Sequence, residues 1–250
     1  MRRSQGGDHL EQLETFIDQG FVQEVLGLVR IGKEATVYCC RAGSALDVDL
    51  VAAKVYRARQ YRFKNDAVYQ EARVREMGIR GSAKRAFENR KSAVGQGVRE
   101  GVWRHREFET MQLLHGAGSD VPRPIHASGD VILMDYVGDE EAAAPPLQRV
   151  RLDQAAAPAL FQRLMNNVEL WLALNRVHGD FSPHNILYWQ GEPWIIDFPQ
   201  ATDPRFNNHA RDLLRRDIDN VCRYFAPYGI EASADVIADD LWRRFMRAEL

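Results

Sequence analysis

The order of elements predicts an α+β chain folded as two lobes with a cleft between them. Three observations carry that expectation. Short β-rich segments with one helix among them fill the first half, and a linker rich in alanine and proline, residues 139–158, follows. The second half is helical apart from one hairpin, and that hairpin is flanked by acid and amide side chains. The expected division is an N-terminal helical extension over 1–20, a first lobe over 21–136 and a second lobe over 137–250.

The elements are read in order. Residues 9–19 place Leu10, Leu13 and Ile17 at helical spacing, with Asp8 as N-cap and Gly20 as the stop. Strands follow over Phe21–Val29, Thr36–Arg41 and Leu50–Tyr56, rich in Val and Tyr and separated by the turns IGKEA and AGSALDVD. Residues 60–100 are crowded with Arg and Lys and show only patchy apolar periodicity, which reads as a long basic loop or partly ordered helix. A helix resumes over Val102–His115, with Val102, Phe108, Met111 and Leu114 on one face. Val121-Pro122-Arg123-Pro124 ends it, because proline biases its predecessor to extended geometry. Two short strands fit Ile125–Ser128 and Val131–Tyr136 around the Gly129-Asp130 turn. In the second lobe, Phe161–Asn175 is an amphipathic helix with Leu164, Val168, Trp171 and Leu172 as core positions. Strands Ile186–Trp189 and Trp194–Ile196 then flank a Gln190–Pro193 turn, and helices Arg211–Tyr224 and Ser233–Arg247 close the chain.

Composition excludes several classes. Hydrophobic content of 45% and charged content of 27% are those of an ordinary globular protein. A net charge of −2 argues against a protein that coats nucleic acid generally, though a local basic patch is compatible with it. No stretch approaches the roughly 18 apolar residues of a membrane helix, and no apolar run follows the two N-terminal arginines as a signal peptide requires. Cys39, Cys40 and Cys222 form neither a disulfide framework nor a metal-ligand spacing. Adjacent Cys39 and Cys40 are expected on opposite faces of a strand, as small buried hydrophobes. A cytoplasmic location is expected.

The chemistry concentrates in VHGDFSPHNILYWQGEPWIIDFPQ, residues 177–200. Phosphoryl transfer from ATP needs the triphosphate held, its charge neutralised by a divalent metal, and the acceptor hydroxyl aligned by a carboxylate. Mg²⁺ takes carboxylate and amide oxygens and keeps several waters, so two protein ligands suffice. Gly179 permits a tight turn before Asp180, and Pro183 keeps that loop from becoming helix. Asn185 precedes the first hairpin strand and Asp197 follows the second, so an antiparallel pairing brings both to the same end of the ladder. Asp180 and Asn185 taken singly read as ordinary turn residues; with Asp197 at the matching hairpin end they read as a metal site beside a catalytic acid.

Lys54 lies in the apolar strand Val51-Ala52-Ala53-Lys54-Val55-Tyr56, where a lysine is costly unless paired or used. The stretch resembles the VAIK element of protein kinases, whose lysine pairs with a glutamate of the following helix, and on that likeness Glu107 in the helix 102–115 is its best partner, with Glu109 on a different face. An edge-strand lysine facing solvent is the competing reading. Gly32-Lys33-Glu34-Ala35 lies between the first two strands, where a phosphate-covering loop belongs, although one glycine falls short of GxGxxG. Met134-Asp135-Tyr136-Val137 ends the fifth strand at the lobe junction, where unpaired backbone groups are positioned for an adenine edge.

These motifs, in this order, resemble the RIO family of atypical serine/threonine protein kinases over roughly the whole chain beyond residue 20. The residues that carry the resemblance are GKEATVY (32–38), AAKVYR (52–57), FKNDAVY (63–69), the helix with Glu107, HGDFSPHNILY (178–188), IIDFPQ (195–200) and RRDIDNVCRYF (215–225). HGDxxxxN and IDF are shared with other kinase-like folds, whereas the GKEA loop, DFPQ and the RDxxNVxxYF tail are more specific. The resemblance implies a two-lobed protein-kinase-like fold with a trimmed C-lobe, lacking an activation loop and a peptide-binding platform. It implies Asp180 as catalytic aspartate, Asn185 and Asp197 as metal ligands, and Lys54 with Glu107 as the phosphate-orienting pair. Gly32, Lys33, Glu34, Ala35, Val37, Lys54, Met134, Asp135, Val137, Ser182 and Asn185 would bind ATP with Mg²⁺ or Mn²⁺. Residues 63–92 would match the family's flexible basic loop. The resemblance also implies a mainly ATPase role on ribosome precursors, as in some members, with the metal aspartate as transient phosphoryl acceptor, which makes Asp197 a second candidate nucleophile.

Two departures stand out. The catalytic loop reads Ser182-Pro183-His184-Asn185 where family members often read SEYN, and the first 20 residues are too short for the winged helix of one branch. Protein phosphorylation of a partner or of the chain itself, a small-molecule phosphotransferase of the aminoglycoside or choline kinase type, and a scaffold whose basic segment 72–99 docks on ribosomal RNA all stay open. Arg211, Arg215 and Arg216 argue against a cationic small-molecule substrate.

Overall fold

The computed structural model describes residues 7–57 and 93–250, with side chains over 12–57 and 105–250. The N-lobe is one antiparallel sheet of five strands in the order β1-β2-β3-β5-β4: β1 (Val22–Ile31), β2 (Ala35–Ala42), β3 (Leu50–Tyr56), β4 (Pro124–Ser128) and β5 (Val131–Asp135). Helix α1 (Gly7–Asp18) covers one face and α2 (Ala93–Gly116) the other.

The two-residue period of a strand decides which side chain meets which helix. In β3, Val51, Ala53 and Val55 point into a core with Leu13 and Phe16 of α1, while Ala52 points to the core shared with Met111 and Leu114 of α2. Lys54 therefore faces α2 and the cleft. β3 is the middle strand, so the edge-lysine reading does not hold, and Lys54 is 9% exposed. The same alternation splits the cysteines: Cys40 joins the α1 core and Cys39 does not, though both are buried.

Two expectations for the first lobe need correction. In α1 the apolar stripe runs through Leu13 and Phe16, and Ile17 is 42% exposed, because the aromatic ring one position earlier fills the sheet face. Helix α2 begins at Ala93 rather than Val102. Gly95, Gly97 and Gly101 each cost about 1 kcal/mol of propensity, but no proline blocks the helix and it runs through them. Of the expected basic segment 60–100, residues 93–100 are therefore helix, and residues 60–92 with the FKNDAVY motif lie outside the described residues.

The C-lobe comprises α3 (Ala157–Ala173), the hairpin of β6 (Ile186–Trp189) and β7 (Glu192–Ile195), α4 (Ala210–Phe225) and α5 (Ala234–Met246). The expected crossover 139–158 is irregular chain with turns at 139–142 and 153–156 and a 3₁₀ turn at Leu147–Arg149, and its last two residues open α3. Leu164, Val168, Trp171 and Leu172 are all buried, as their spacing predicts. The hairpin turn is shorter than expected. Only Gln190 (φ 51°) and Gly191 (φ 87°) lie outside the ladder, the two positive-φ residues of a tight hairpin turn, and Pro193 sits within β7 opposite Tyr188. The Tyr188 N–H is given to Pro145 O, so the 188/193 pair is of the non-hydrogen-bonded kind and the ladder asks no N–H of the proline. Among the described residues no helix is long and apolar enough to cross a membrane.

Candidate active site

The cleft is built around one ammonium group. Lys54 Nζ donates to Glu107 Oε1 at 2.7 Å and to Asp197 Oδ1 at 2.7 Å, so β3, α2 and the segment after β7 meet at one atom. Burial opposes the lysine charge, but the Asp197 and Glu107 carboxylates outweigh it and hold the group above its ordinary value, fully protonated. Burial likewise opposes the charge on Asp197, whose carboxyl the lysine keeps below its usual range. Glu107 is 1% exposed and burial raises its carboxyl in spite of Lys54. The sequence chose correctly between Glu107 and Glu109, which is exposed and pairs with His105 one turn away.

Asp197 has φ +73°, a conformation costly for a residue with a Cβ. Its neighbours hold it there. Ile195 N–H donates to Asp120 O (2.7 Å), Ile196 N–H to Asn185 O (2.9 Å) and Phe198 N–H to Glu107 Oε1 (3.2 Å). The middle bond extends the β6–β7 ladder by one pair, which is why Asn185 and Asp197 emerge together. Asn185 Nδ2 donates to Asp180 O (2.9 Å) and Asp180 Oδ2 (3.2 Å), fixing the carboxylate beside it. Burial raises the Asp180 carboxyl, and the negative charge of Asp197 raises it further, so the two acids share one cleft.

The nucleotide-loop positions are distributed around this centre. Gly32 N–H closes the β1–β2 turn on Ala35 O at 2.9 Å, and a Cβ on Gly32 would meet that oxygen at 3.0 Å. Glu34 is half-buried, and its carboxyl is pushed up to about 7 by burial first and by the Asp197 charge next. Val37 lies across the ladder from Lys54, Ala35 is buried, and Lys33 is exposed. Ser182 contributes its carbonyl to Asn185 N–H (2.9 Å). At the lobe junction Met134 is buried in β5. The Asp135 N–H is spent on Arg123 O (2.9 Å) and the Val137 carbonyl on Ala144 N–H (2.9 Å), so the strand end is not wholly unpaired as expected. Among the described residues Val137 N–H is left as a donor facing no backbone acceptor.

Motif reading missed the support of the catalytic loop. Asp217 on α4 accepts from Gly179 N–H (2.7 Å) and Phe181 N–H (3.0 Å). Arg216 donates to Gly179 O and Asn220 to Phe181 O (2.9 Å). Three residues of one helix thus grip the peptide groups on both sides of Asp180, with Gly179 at φ +80°. Their signal was the spacing in RRDIDN, where Asn220 lies four residues beyond Arg216 and three beyond Asp217 and so neighbours both on the helix surface. Burial pushes the Asp217 carboxyl up to about 7, against the pull of the two N–H donors and Arg216. His178, also without an assigned role, is buried among Trp171, Phe181 and Phe198, and burial lowers it to about 4. Its Nδ1 accepts from Asp180 N–H (3.3 Å), so the proton of the neutral ring sits on Nε2, 3.3 Å from Ile196 O. Arg211 and Arg215, by contrast, pair with Asp239 and Asp235 on α5 and present no unmatched positive surface of their own.

A divalent ion fits this donor set. The Asn185 amide nitrogen is committed to Asp180, which leaves its Oδ1 as an acceptor, and the Asp197 side chain is 41% exposed with only Oδ1 on Lys54. Among the described residues no three His, Cys, Asp or Glu side chains are spaced to hold a metal alone. The site therefore suits an ion that completes its shell with phosphate oxygens and water, as Mg²⁺ does.

Comparison with known proteins agrees with this geometry. The RIO domain profile matches residues 36–237. A RIO-type serine/threonine-protein kinase Rio1 of Haloferax volcanii is 31% identical over 223 residues, covering 88% of this chain and 69% of the relative. Serine/threonine-protein kinase RIO1 of Caenorhabditis elegans is 29% identical over 90% of this chain, and RIO3 of Homo sapiens 25% identical over 86%. The chain spans 42% and 41% of the length of those two. The crystal structure of the Rio2 kinase from Chaetomium thermophilum superposes with a TM-score of 0.63 at 20% identity, covering 96% of this chain and 72% of that one. That likeness shows the two-lobed, protein-kinase-like fold. Only residues 198–209 separate Asp197 from α4, too few for a long activation segment. On the profile match and the archaeal relative together, the chain belongs to the RIO domain family.

Proposed function

We propose that this chain is a Mg²⁺- or Mn²⁺-assisted ATP phosphotransferase, acting on a serine or threonine hydroxyl of a protein partner or of its own chain. The observation that carries the reading is Lys54 Nζ, 2.7 Å from carboxylates on both lobes, beside the Asp180–Asn185 pair. Family membership supports it, since the relatives matched are named serine/threonine-protein kinases.

The residues divide the work. Lys54, held protonated, offers positive charge to the phosphates, and Glu107 keeps it from swinging away. Asn185 and Asp197 would hold the metal, which when bound neutralises phosphate charge as the bond to the leaving oxygen breaks. Asp180 receives the proton of the attacking hydroxyl on a carboxylate oxygen, and its raised affinity for protons suits it to that role at neutral pH. The α4 grip fixes the peptide groups either side of that carboxylate.

Two substitutions test this. Asp180→Ala should lower ATP turnover about 10²- to 10⁴-fold with ATP affinity retained by calorimetry; turnover at the wild-type rate would remove Asp180 from the chemistry. Asp197→Ala should shift the metal requirement to higher concentration, and an unchanged Mg²⁺ titration would cost Asp197 its ligand role.

A further inference from the structure

A second constellation lies behind the catalytic and metal loops and is not used by the chemistry above. Arg163, Asn167 and Trp171 form a polar stripe at i, i+4 and i+8 on α3, on a helix whose other inward positions are apolar. All three reach the turn that leaves α2. Trp171 Nε1 donates to Ser119 Oγ (2.7 Å), and Ser119 Oγ donates to Asn167 Oδ1 (2.6 Å). Asn167 Oδ1 also accepts Asp120 N–H (2.9 Å), while its Nδ2 donates to Asp120 Oδ2 (2.7 Å). Arg163 grips the same carboxylate in bidentate fashion at 2.7 and 2.9 Å and also pairs with Glu192 at the start of β7. Ser119 and Asn167 are buried, yet each has its partners.

Such a cluster is costly to bury and is more than a loop needs to be pinned. Its connections show what it holds. The carbonyl of Asp120 accepts Ile195 N–H (2.7 Å), two residues before Asp197, and α2, which ends in this turn, accepts Phe198 N–H through Glu107, one residue after Asp197. The left-handed Asp197 is thus bracketed by two bonds from a single unit, α2 with its exit turn. Trp171, at the other end of the stripe, packs edge-on against Phe181 (5.0 Å) and Phe198 (6.0 Å), the residues that follow Asp180 and Asp197.

We infer that Asn167, with Ser119 and Asp120, is a positioning centre that locks α2 to the C-lobe and thereby fixes Glu107 and Asp197 relative to each other. The carboxylates of the cleft then stand assembled before any ligand arrives. A kinase-like fold in which α2 pivots freely would instead lose the Glu107 contact to both Lys54 and Phe198. The purpose assigned here rests on the phosphotransferase reading; the mechanical link does not.

The experiment uses the full chain without nucleotide or metal. Amide hydrogen exchange is followed at Ile195 and Phe198 in the wild type, Asn167→Ala, Ser119→Ala and Leu241→Ala, the last a buried α5 residue outside the cluster. Asn167→Ala and Ser119→Ala should each speed exchange at these two amides about tenfold, with Leu241→Ala leaving them at the wild-type rate relative to global unfolding. The Mg²⁺ concentration for half-maximal ATP turnover should rise severalfold in the first two variants and not in the third. If all three variants alter exchange at 195 and 198 only in proportion to their loss of global stability, the cluster is ordinary core and the inference is overturned. Should Asn167→Ala fail to fold, Ser119→Ala decides the matter alone, because it removes one oxygen and leaves the volume nearly intact. A wild type that turns over no ATP would sink the proposed function, while the exchange result would still judge the link.

Discussion

At the scale of single residues, the chemistry depends on side chains placed where their ordinary properties do not apply. Asp197 adopts a backbone conformation that favours glycine, and three hydrogen bonds from its neighbours keep it there. Asp217 is the clearest case for a pH test. Its carboxyl in the folded chain is raised from 3.8 to about 7, chiefly by burial. A raised acid stabilises the fold fully below the unfolded value, and that contribution is lost as pH rises through the folded one. Thermal midpoints of the wild type should therefore decline between about pH 4 and pH 7 in part through this group. Asp217→Asn, which cannot titrate, should flatten that decline while loosening Gly179 or Phe181. A decline as steep as in the wild type would mean that Asp217 is ionised throughout the range.

Among elements, the β6–β7 hairpin is the part that converts sequence spacing into a site. Its ladder pairs Ile186 with Ile195, so Asn185 and Asp197 leave one end while Gln190 and Gly191 turn at the other. Gly191 has φ +87° and open space where a Cβ would stand. Gly191→Ala should cost about 1–2 kcal/mol from backbone strain alone, read by urea unfolding. Since the strain is at the far end from the ligands, the Mg²⁺ titration of that variant should match the wild type; a shifted titration would show that the hairpin moves as a rigid lever. Helix α4 plays the complementary part, and its Arg216, Asp217 and Asn220 were legible only as a motif, because one helix face says nothing of the loop it will grip. Helix α2 was legible where its stripe meets the sheet and not at its start, because glycines weaken a helical pattern without forbidding a helix.

Over the whole molecule, the two lobes are joined at Lys54 and again at the Ser119–Asp120 turn. Lys54→Met removes the cation between Glu107, 1% exposed, and Asp197, whose side chain is 41% exposed. Breaking a buried pair costs about 3–5 kcal/mol, and screening at Asp197 puts the expected loss near about 3. ATP turnover should fall at least about 100-fold, as when a preorganised charge is removed from a site. Denaturation and a coupled ADP assay measure the two effects. A variant as stable and active as the wild type would mean that the lysine neither joins the lobes nor meets phosphate.

The sequence by itself determined the α+β class, nearly every strand, the choice of Glu107 over Glu109, and the hairpin that carries Asn185 and Asp197. The class, the strands and the hairpin follow from periods of two and 3.6 residues and from turn chemistry, which are local, and Glu107 from its helix face together with the resemblance of the Lys54 strand to that of protein kinases. Only the tertiary structure decided that Lys54 lies mid-sheet and buried, that Phe16 rather than Ile17 faces the core, and that α4 and the Asn167 cluster hold the two acids. Those contacts join residues about 40 to 140 positions apart, and no local pattern encodes which face of one element will meet the backbone of another.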